Sequence, residues 1–333
     1  MIIFYKDKQM KKNIALVGAG NWGKNHLRNL RKIGVLHSVF DPSKKITQQR
    51  KKDFPDVLFV NDEKQIIDKP EIKGVVIAAP AELHYELTKK YLLAGKDVMV
   101  EKPLALKVEE GEELVNIAKE NKRVLMIGHI LQYHSAVIKL KELIDNGELG
   151  HIRYIYSNRL NIGKLRTEEN VLWSFAPHDI SLIIMFMNNE EPLNIQAHGG
   201  SYVNNNIYDT TLTTLEFKNG IKSHVFVSWL HPFKEQKLVV VGSEKMAVFD
   251  DVSKEKLFLY PHKIKWEKGT IPVAEKADFV TVEFEQKQPL EEELLHFVDC
   301  VESGKTPKTD GVEGLKVLKI LEAAQKKLAQ NER

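Results

Sequence analysis

The sequence predicts an α/β chain in two parts. An N-terminal doubly wound parallel sheet is expected over residues 1–130, and an α/β part with an open, mostly antiparallel sheet over residues 131–333. Three observations carry this expectation. The 333 residues exceed what a single hydrophobic core usually serves. The first half alternates apolar runs with helical patterns, as parallel βαβ units do. Beyond residue 150 the texture changes to period-2 runs joined by turns.

In chain order, NIALVG (13–18) reads as a buried strand and NHLRNLRKIG (25–34) as a helix stopped at Gly34. HSVFD (37–41), VLFVN (57–61), GVVIAAP (74–80) and DVMVEKP (97–103) read as strands two to five. ELHYELTKKYLLAG (82–95) and KVEEGEELVNIAKENK (107–122) carry apolar residues at helical spacing, and VLMIGH (124–129) follows as a sixth strand. SAVIKLKELIDNGELG (135–150) is helical and HIRYIYSNR (151–159) a strand; a helix is expected at ISLIIMF, directly after His178-Asp179. TTLTTLEFKNGIKSHVFVSWL (210–230) is a hairpin turning at Lys218-Asn219-Gly220, and 237–243, 246–251 and 256–260 continue the strands. Residues 289–304 and 312–330 are helical, the latter capped at Thr309-Asp310, and the last helix can pack back on the first part.

Composition narrows the function. Hydrophobic residues at 43% and charged residues at 29% are ordinary for a soluble globular protein. The net charge is only +3, and the densest basic stretch, KKITQQRKK (44–52), reads as the solvated side of a helix, which disfavours nucleic-acid binding. One cysteine, Cys300, fits a reducing cytoplasm. No apolar run approaches the roughly 18–20 residues of a membrane span. Translation from Met10 would make residues 1–9 an extension. No HExxH, cysteine cluster or GxSxG elbow is present, so neither a metal site nor a hydrolytic triad is expected.

The chemistry gathers at strand ends. The first strand runs into Gly18-Ala19-Gly20-Asn21-Trp22-Gly23 and then a helix. In that context the glycines permit a tight turn, close approach of a pyrophosphate and close helix packing, with the anion at a helix N-terminus. Asp41 closes the second strand 21 positions after Gly20, where a carboxylate accepts bonds from ribose hydroxyls and selects NAD over NADP. Ala79-Pro80 and Glu101-Lys102-Pro103 end the fourth and fifth strands, which puts Lys102 near the nicotinamide. His84 opens the following helix as a structural or cofactor-adjacent residue.

With these residues in place, the chain resembles the Gfo/Idh/MocA family of nicotinamide-dependent oxidoreductases. The resemblance rests on GxGxxG, Asp41, AAPAELH (78–84) and EKP (101–103), followed by a β-rich second half. It implies a Rossmann domain, a second domain whose open sheet mediates oligomerisation as a dimer or tetramer, and Lys102 in the catalytic site opposite a histidine. His178 matches that histidine; the aspartate common four residues earlier is Ser174 here. Segments 128–136, 156–179 and 227–251 resemble nucleotide-sugar 3-dehydrogenases of the family. That implies UDP-N-acetylglucosamine oxidised at C3, and substrate contacts from Tyr133, Trp173, Asp179 and His231. Alternatives are the uronic-acid analogue, a cyclitol or free sugar, or a non-catalytic NAD-bound regulator.

Independently, Arg159, Lys164 and Arg166 form a basic cluster suited to a diphosphate or carboxylate, or else an ordinary solvated loop. Trp229, His231 and Phe233 could stack on a sugar or uracil, or pack an edge. His178, with an ordinary pKa of about 6.5, suits the base that takes a hydroxyl proton, and Lys102 the group that steadies a developing alkoxide. The two roles can be exchanged. Asp179 either orients the His178 ring or caps the helix after it.

Overall fold

The computed structural model describes residues 11–163 and 165–331. The chain divides into two compact units: Met1–Ile130 with Gln288–Leu318, and Leu131–Lys287 with Lys319–Arg333. A single cut at residue 130 therefore does not separate them, because residues 288–318 return to the first unit.

The first unit is built on a five-stranded parallel sheet. Its strands are β1 (Ile14–Val17), β2 (Leu36–Phe40), β3 (Gly74–Ile77), β4 (Asp97–Glu101) and β5 (Leu125–Gly128), in the order β2-β1-β3-β4-β5. β1, β3 and β5 are buried at every position, as strands covered on both sides must be. The run 57–61 gives no full strand. It makes one parallel bridge, Phe59 to Val39, backed by bonds from Val39 N–H to Leu58 O and from Val60 N–H to Val39 O. It lies at the sheet edge, and Leu58 turns to solvent.

Helices α1 (Gly23–Ile33), α2 (Lys44–Asp53), α3 (Lys64–Ile67), α4 (His84–Leu93) and α5 (Val108–Glu120) connect the strands. α1 stops at Gly34 in the left-handed region (φ 86°). α2 buries none of its residues, which agrees with the solvated basic helix expected there. The core joins Val17, Val75, Ile77, Val98 and Val100 of the sheet to Tyr91, Leu92 and Leu114 of the helices.

In the second unit, α6 (Ser135–Asp145) leads to β6 (Ile152–Leu160), and α7 (Val171–Phe186) to a run of strands. These are β7 (Asn194–Gly200), β8 (Thr210–Glu216), β9 (Lys222–Ser228), β10 (Glu235–Gly242), β11 (Met246–Asp250) and β12 (Leu257–Tyr260). After them come the separate hairpin β13 (Lys263–Glu267) and β14 (Ile271–Glu275), then β15 (Val280–Thr281). The eight-stranded sheet runs β15-β12-β11-β10-β6-β9-β8-β7, antiparallel except where β6 pairs parallel with β9. Ile155, Ser157 and Arg159 of β6 are buried on the side that packs α7, while Tyr154 and Tyr156 lie half-buried on the other. Asn219 and Gly220 both take positive φ in the β8–β9 turn, as the Asn-Gly pair predicts.

α8 (Pro289–Ser303) belongs to the first unit, and α9 (Gly311–Asn331) begins there and ends in the second. Asp310 caps α9 by accepting the Glu313 N–H at 2.8 Å.

Candidate active site

The glycine turn has the steric demands of a dinucleotide loop. Gly18 sits at φ 88°, and a Cβ there would lie 2.5 Å from the Ala78 carbonyl oxygen. A Cβ on Gly23 would lie 2.2 Å from the Gly18 oxygen, so the first turn of α1 packs directly on the loop. Around Gly20, by contrast, there is open space. The N-terminus of α1 carries no side-chain cap and no acidic residue in its first turn, which leaves N–H groups for an anion. Asn21 and Trp22 beside it are exposed.

Asp41 locks onto this loop. Its Oδ2 accepts the Ala19 N–H at 2.7 Å and its Oδ1 the Ser43 N–H at 2.8 Å. Each oxygen keeps a further lone pair for a ribose hydroxyl. Arg50, which sequence reasoning left among surface charges, reaches back from α2. Its Nε donates to Ala19 O at 2.9 Å and its Nη2 to Gly20 O at 3.3 Å, while Nη1 pairs with Asp53. Only its position near the C-terminal end of α2, nine residues after Asp41, could have signalled this. These groups fit NAD: an open turn, an uncapped helix end and a ribose-side carboxylate.

At the end of β4, Glu101 is held from α1. Its Oε1 lies 2.6 Å from Trp22 Nε1 and 2.6 Å from Nε2 of the fully buried His26. Burial pushes this carboxyl up, but the His26 and Trp22 bonds and the Lys102 charge outweigh it, and the net direction is down. Glu101 is thus a carboxylate with its own donors, and His26 is a member of the site that the sequence reading missed. The signal was its place one turn after Gly23, on the buried side of α1. Lys102 follows, partly exposed, and joins Pro103 through a cis peptide. Ala79 and Pro80 leave β3 partly exposed and exposed, respectively.

His84, expected close to a cofactor, is 1% exposed. Its Nδ1 lies 2.6 Å from Pro103 O and its Nε2 3.0 Å from Ala79 O, so no ring nitrogen remains for a ligand. It is a framework residue.

In the second unit, α7 starts at Val171, with Asn170 capping it through the Trp173 N–H, and runs unbroken past Pro177 to Phe186. His178, half-buried, and Asp179 therefore lie within the helix rather than ahead of it. Asp179 neither caps the helix nor stays available to orient a ring. It is 1% exposed, its Oδ2 accepts Arg159 Nε at 2.6 Å, and its Oδ1 accepts Ser157 Oγ at 2.6 Å and Arg159 Nη2 at 3.2 Å. Arg159, expected at a diphosphate, is consequently a buried partner of Asp179, and Asp179 holds its pKa up against burial.

The remaining described substrate-side residues lie in the second unit. Arg166 pairs with Glu169 at 2.8 Å. Trp173 donates its indole N–H to Gln325 at 3.1 Å, and Tyr133 is 4% exposed. His231 meets Phe233 through a 2.8 Å contact from Nδ1 to its carbonyl and an edge-on ring contact. Trp229 is a core residue at 1% exposure, not a stacking surface. Lys164 lies outside the described residues, as do residues 1–9. Lys102 belongs to the first unit and His178 to the second.

Comparison with known proteins decides the family. Residues 12–129 match the model of an oxidoreductase family with an NAD-binding Rossmann fold, and residues 137–248 match the GFO/IDH/MocA C-terminal domain. The chain belongs to the Gfo/Idh/MocA family of oxidoreductases. It is an NAD-binding dehydrogenase of that family. Among relatives, the UDP-N-acetylglucosamine 3-dehydrogenase of Acidithiobacillus ferrooxidans is 25% identical over 302 residues, covering 89% of this chain and 90% of that one. The NAD-dependent scyllo-inositol 2-dehydrogenase of Bacillus subtilis is 26% identical over 308 residues, covering 88% and 87%. The solved Acidithiobacillus enzyme shares the fold with a TM-score of 0.83 at 22% identity, over 95% of this chain and 97% of that one.

Proposed function

We propose that this family member oxidises the C3 hydroxyl of UDP-N-acetylglucosamine to the ketone. The observation that carries the reading is the likeness to the Acidithiobacillus 3-dehydrogenase across 89% of this chain. NAD, when bound, supplies the acceptor for the hydride leaving the carbon. Gly18, Gly20, Asn21, Trp22 and Gly23 would hold its pyrophosphate, Asp41 its adenosine ribose, and Ala79, Pro80 and Glu101 would line its nicotinamide end. His178 takes the hydroxyl proton, and the Lys102 ammonium hydrogen-bonds the oxygen as its negative charge grows. Tyr133, Trp173, Arg166, Lys164 and His231 would form the sugar-nucleotide side. Arg159 and Asp179 contribute by holding α7, which carries His178, against β6.

A homo-oligomer formed on the open side of the second sheet completes the proposal. Tyr154 and Tyr156 lie half-buried there, and Tyr156 stacks on His224 across the β6–β9 pair. The single, buried Cys300 suits a reducing cytoplasm. A second reading, oxidation of an inositol, draws on the comparable likeness to the scyllo-inositol enzyme. NADH absorbance followed with a panel of UDP-sugars and inositols separates the two. Turnover of UDP-N-acetylglucosamine is expected; turnover confined to inositols or free sugars overturns the substrate assignment.

A further inference from the structure

Lys102 is anchored on both sides. Upstream, the Glu101 side chain is tied to α1 through Trp22 and His26. Downstream, the Pro103 carbonyl is taken by His84 at 2.6 Å, and the same ring reaches the Ala79 carbonyl at 3.0 Å. Ala79 leaves β3 and Pro103 follows β4, so one imidazole lies between the two strand-end loops that border the expected nicotinamide position. Packing alone does not call for this ring, since a leucine fills such a buried position without polar groups to satisfy. A lysine ammonium rides on a flexible four-carbon stem, so its placement depends on how firmly its backbone is held. The proline ring adjoining Lys102 fixes φ and stiffens the segment that His84 grips.

We propose that His84 is a positioning residue for Lys102, holding the Pro103 carbonyl after it to the first turn of α4. This deepens the reading of Lys102 as the group at the reacting oxygen and rests on it. A neutral imidazole has one N–H, and the shorter, buried contact assigns it to Nδ1 and Pro103. Burial keeps the ring neutral, opposed by the two backbone carbonyls and the Glu101 charge and reinforced by Lys102. The grip on Pro103 therefore persists at neutral pH.

The test reads Lys102 directly and needs no substrate. In the full-length chain, pulsed acetylation over a pH series, quantified by peptide mass spectrometry, gives the reactivity of Lys102 against exposed Lys44 and Lys45. His84→Leu, with its fold checked by circular dichroism, should change relative Lys102 labelling about threefold or more, half a pKa unit, and His84→Asn, which keeps one donor, should change it less. If His84→Leu does not fold, His84→Asn must still shift Lys102 selectively. Labelling unchanged in a folded variant overturns the proposal. With substrate, kcat should fall while KM for NAD holds. Should no NAD turnover be found, the labelling result still stands or falls alone.

Discussion

At the residue scale, a few side chains are fixed by the backbone atoms they satisfy. Asp41 holds two N–H groups of the glycine turn and its own loop while keeping acceptor capacity for a ribose. Asp41→Ala should therefore weaken NAD and narrow its advantage over NADP. Each charged hydrogen bond lost is worth about 1.5–3 kcal/mol, so Kd for NAD should rise roughly tenfold or more in a fluorescence titration. An unchanged Kd would remove Asp41 from the ribose site. Asp41 and the three glycines were legible because the turn's chemistry is local in sequence. Arg50 and His26 were not, because their partners lie 31 and 75 residues away. His84 was visible as a residue, but its role depended on Pro103, which only the fold brings to it.

At the scale of elements, α7 is longer than the sequence reading, which begins a helix only after His178-Asp179. In the structure the Asn170 cap and the apolar run from Val171 start the helix earlier and carry it through Pro177. That places Asp179 on the buried side of α7, against β6, where Arg159 and Ser157 meet it. Side chains of the pair are 8% and 2% exposed. Arg159→Leu alone leaves a buried carboxylate and should cost about 3–5 kcal/mol, whereas Arg159→Met with Asp179→Leu should recover most of that loss. Chemical denaturation of the single and double variants checks this; additive losses would contradict it. The strand expected at 57–61 is reduced to a single bridge between Phe59 and Val39.

For the whole molecule, the parallel first sheet and the strand-rich second half follow from periodicity, whereas β7, β13, β14, β15 and the return of residues 288–318 to the first unit do not. Local pattern sets an element's type, and only packing sets its partners. Within that unit Glu293 of α8 is fully buried, and neither carboxyl oxygen has a hydrogen-bond partner among the described residues. Burial, then the Glu101 charge, pushes its pKa well up, against Lys308. A raised folded pKa stabilises only while the unfolded carboxyl is also protonated, below about pH 4.3, and that contribution is lost as pH rises through the folded value. Glu293→Gln should thus melt with the wild type near about pH 4 and above it toward neutrality. Parallel melting curves at all pH values would contradict the buried acid.

In the proposed reaction Lys102 and His178 provide the proton chemistry of an NAD-dependent dehydrogenase. The most direct measurement is NADH formation from UDP-N-acetylglucosamine by the wild type, Lys102→Met and His178→Asn at saturating NAD. Each variant should lose about 10²–10⁴ in kcat with NAD binding retained. Turnover by either variant at the wild-type rate would remove that residue from the proton chemistry.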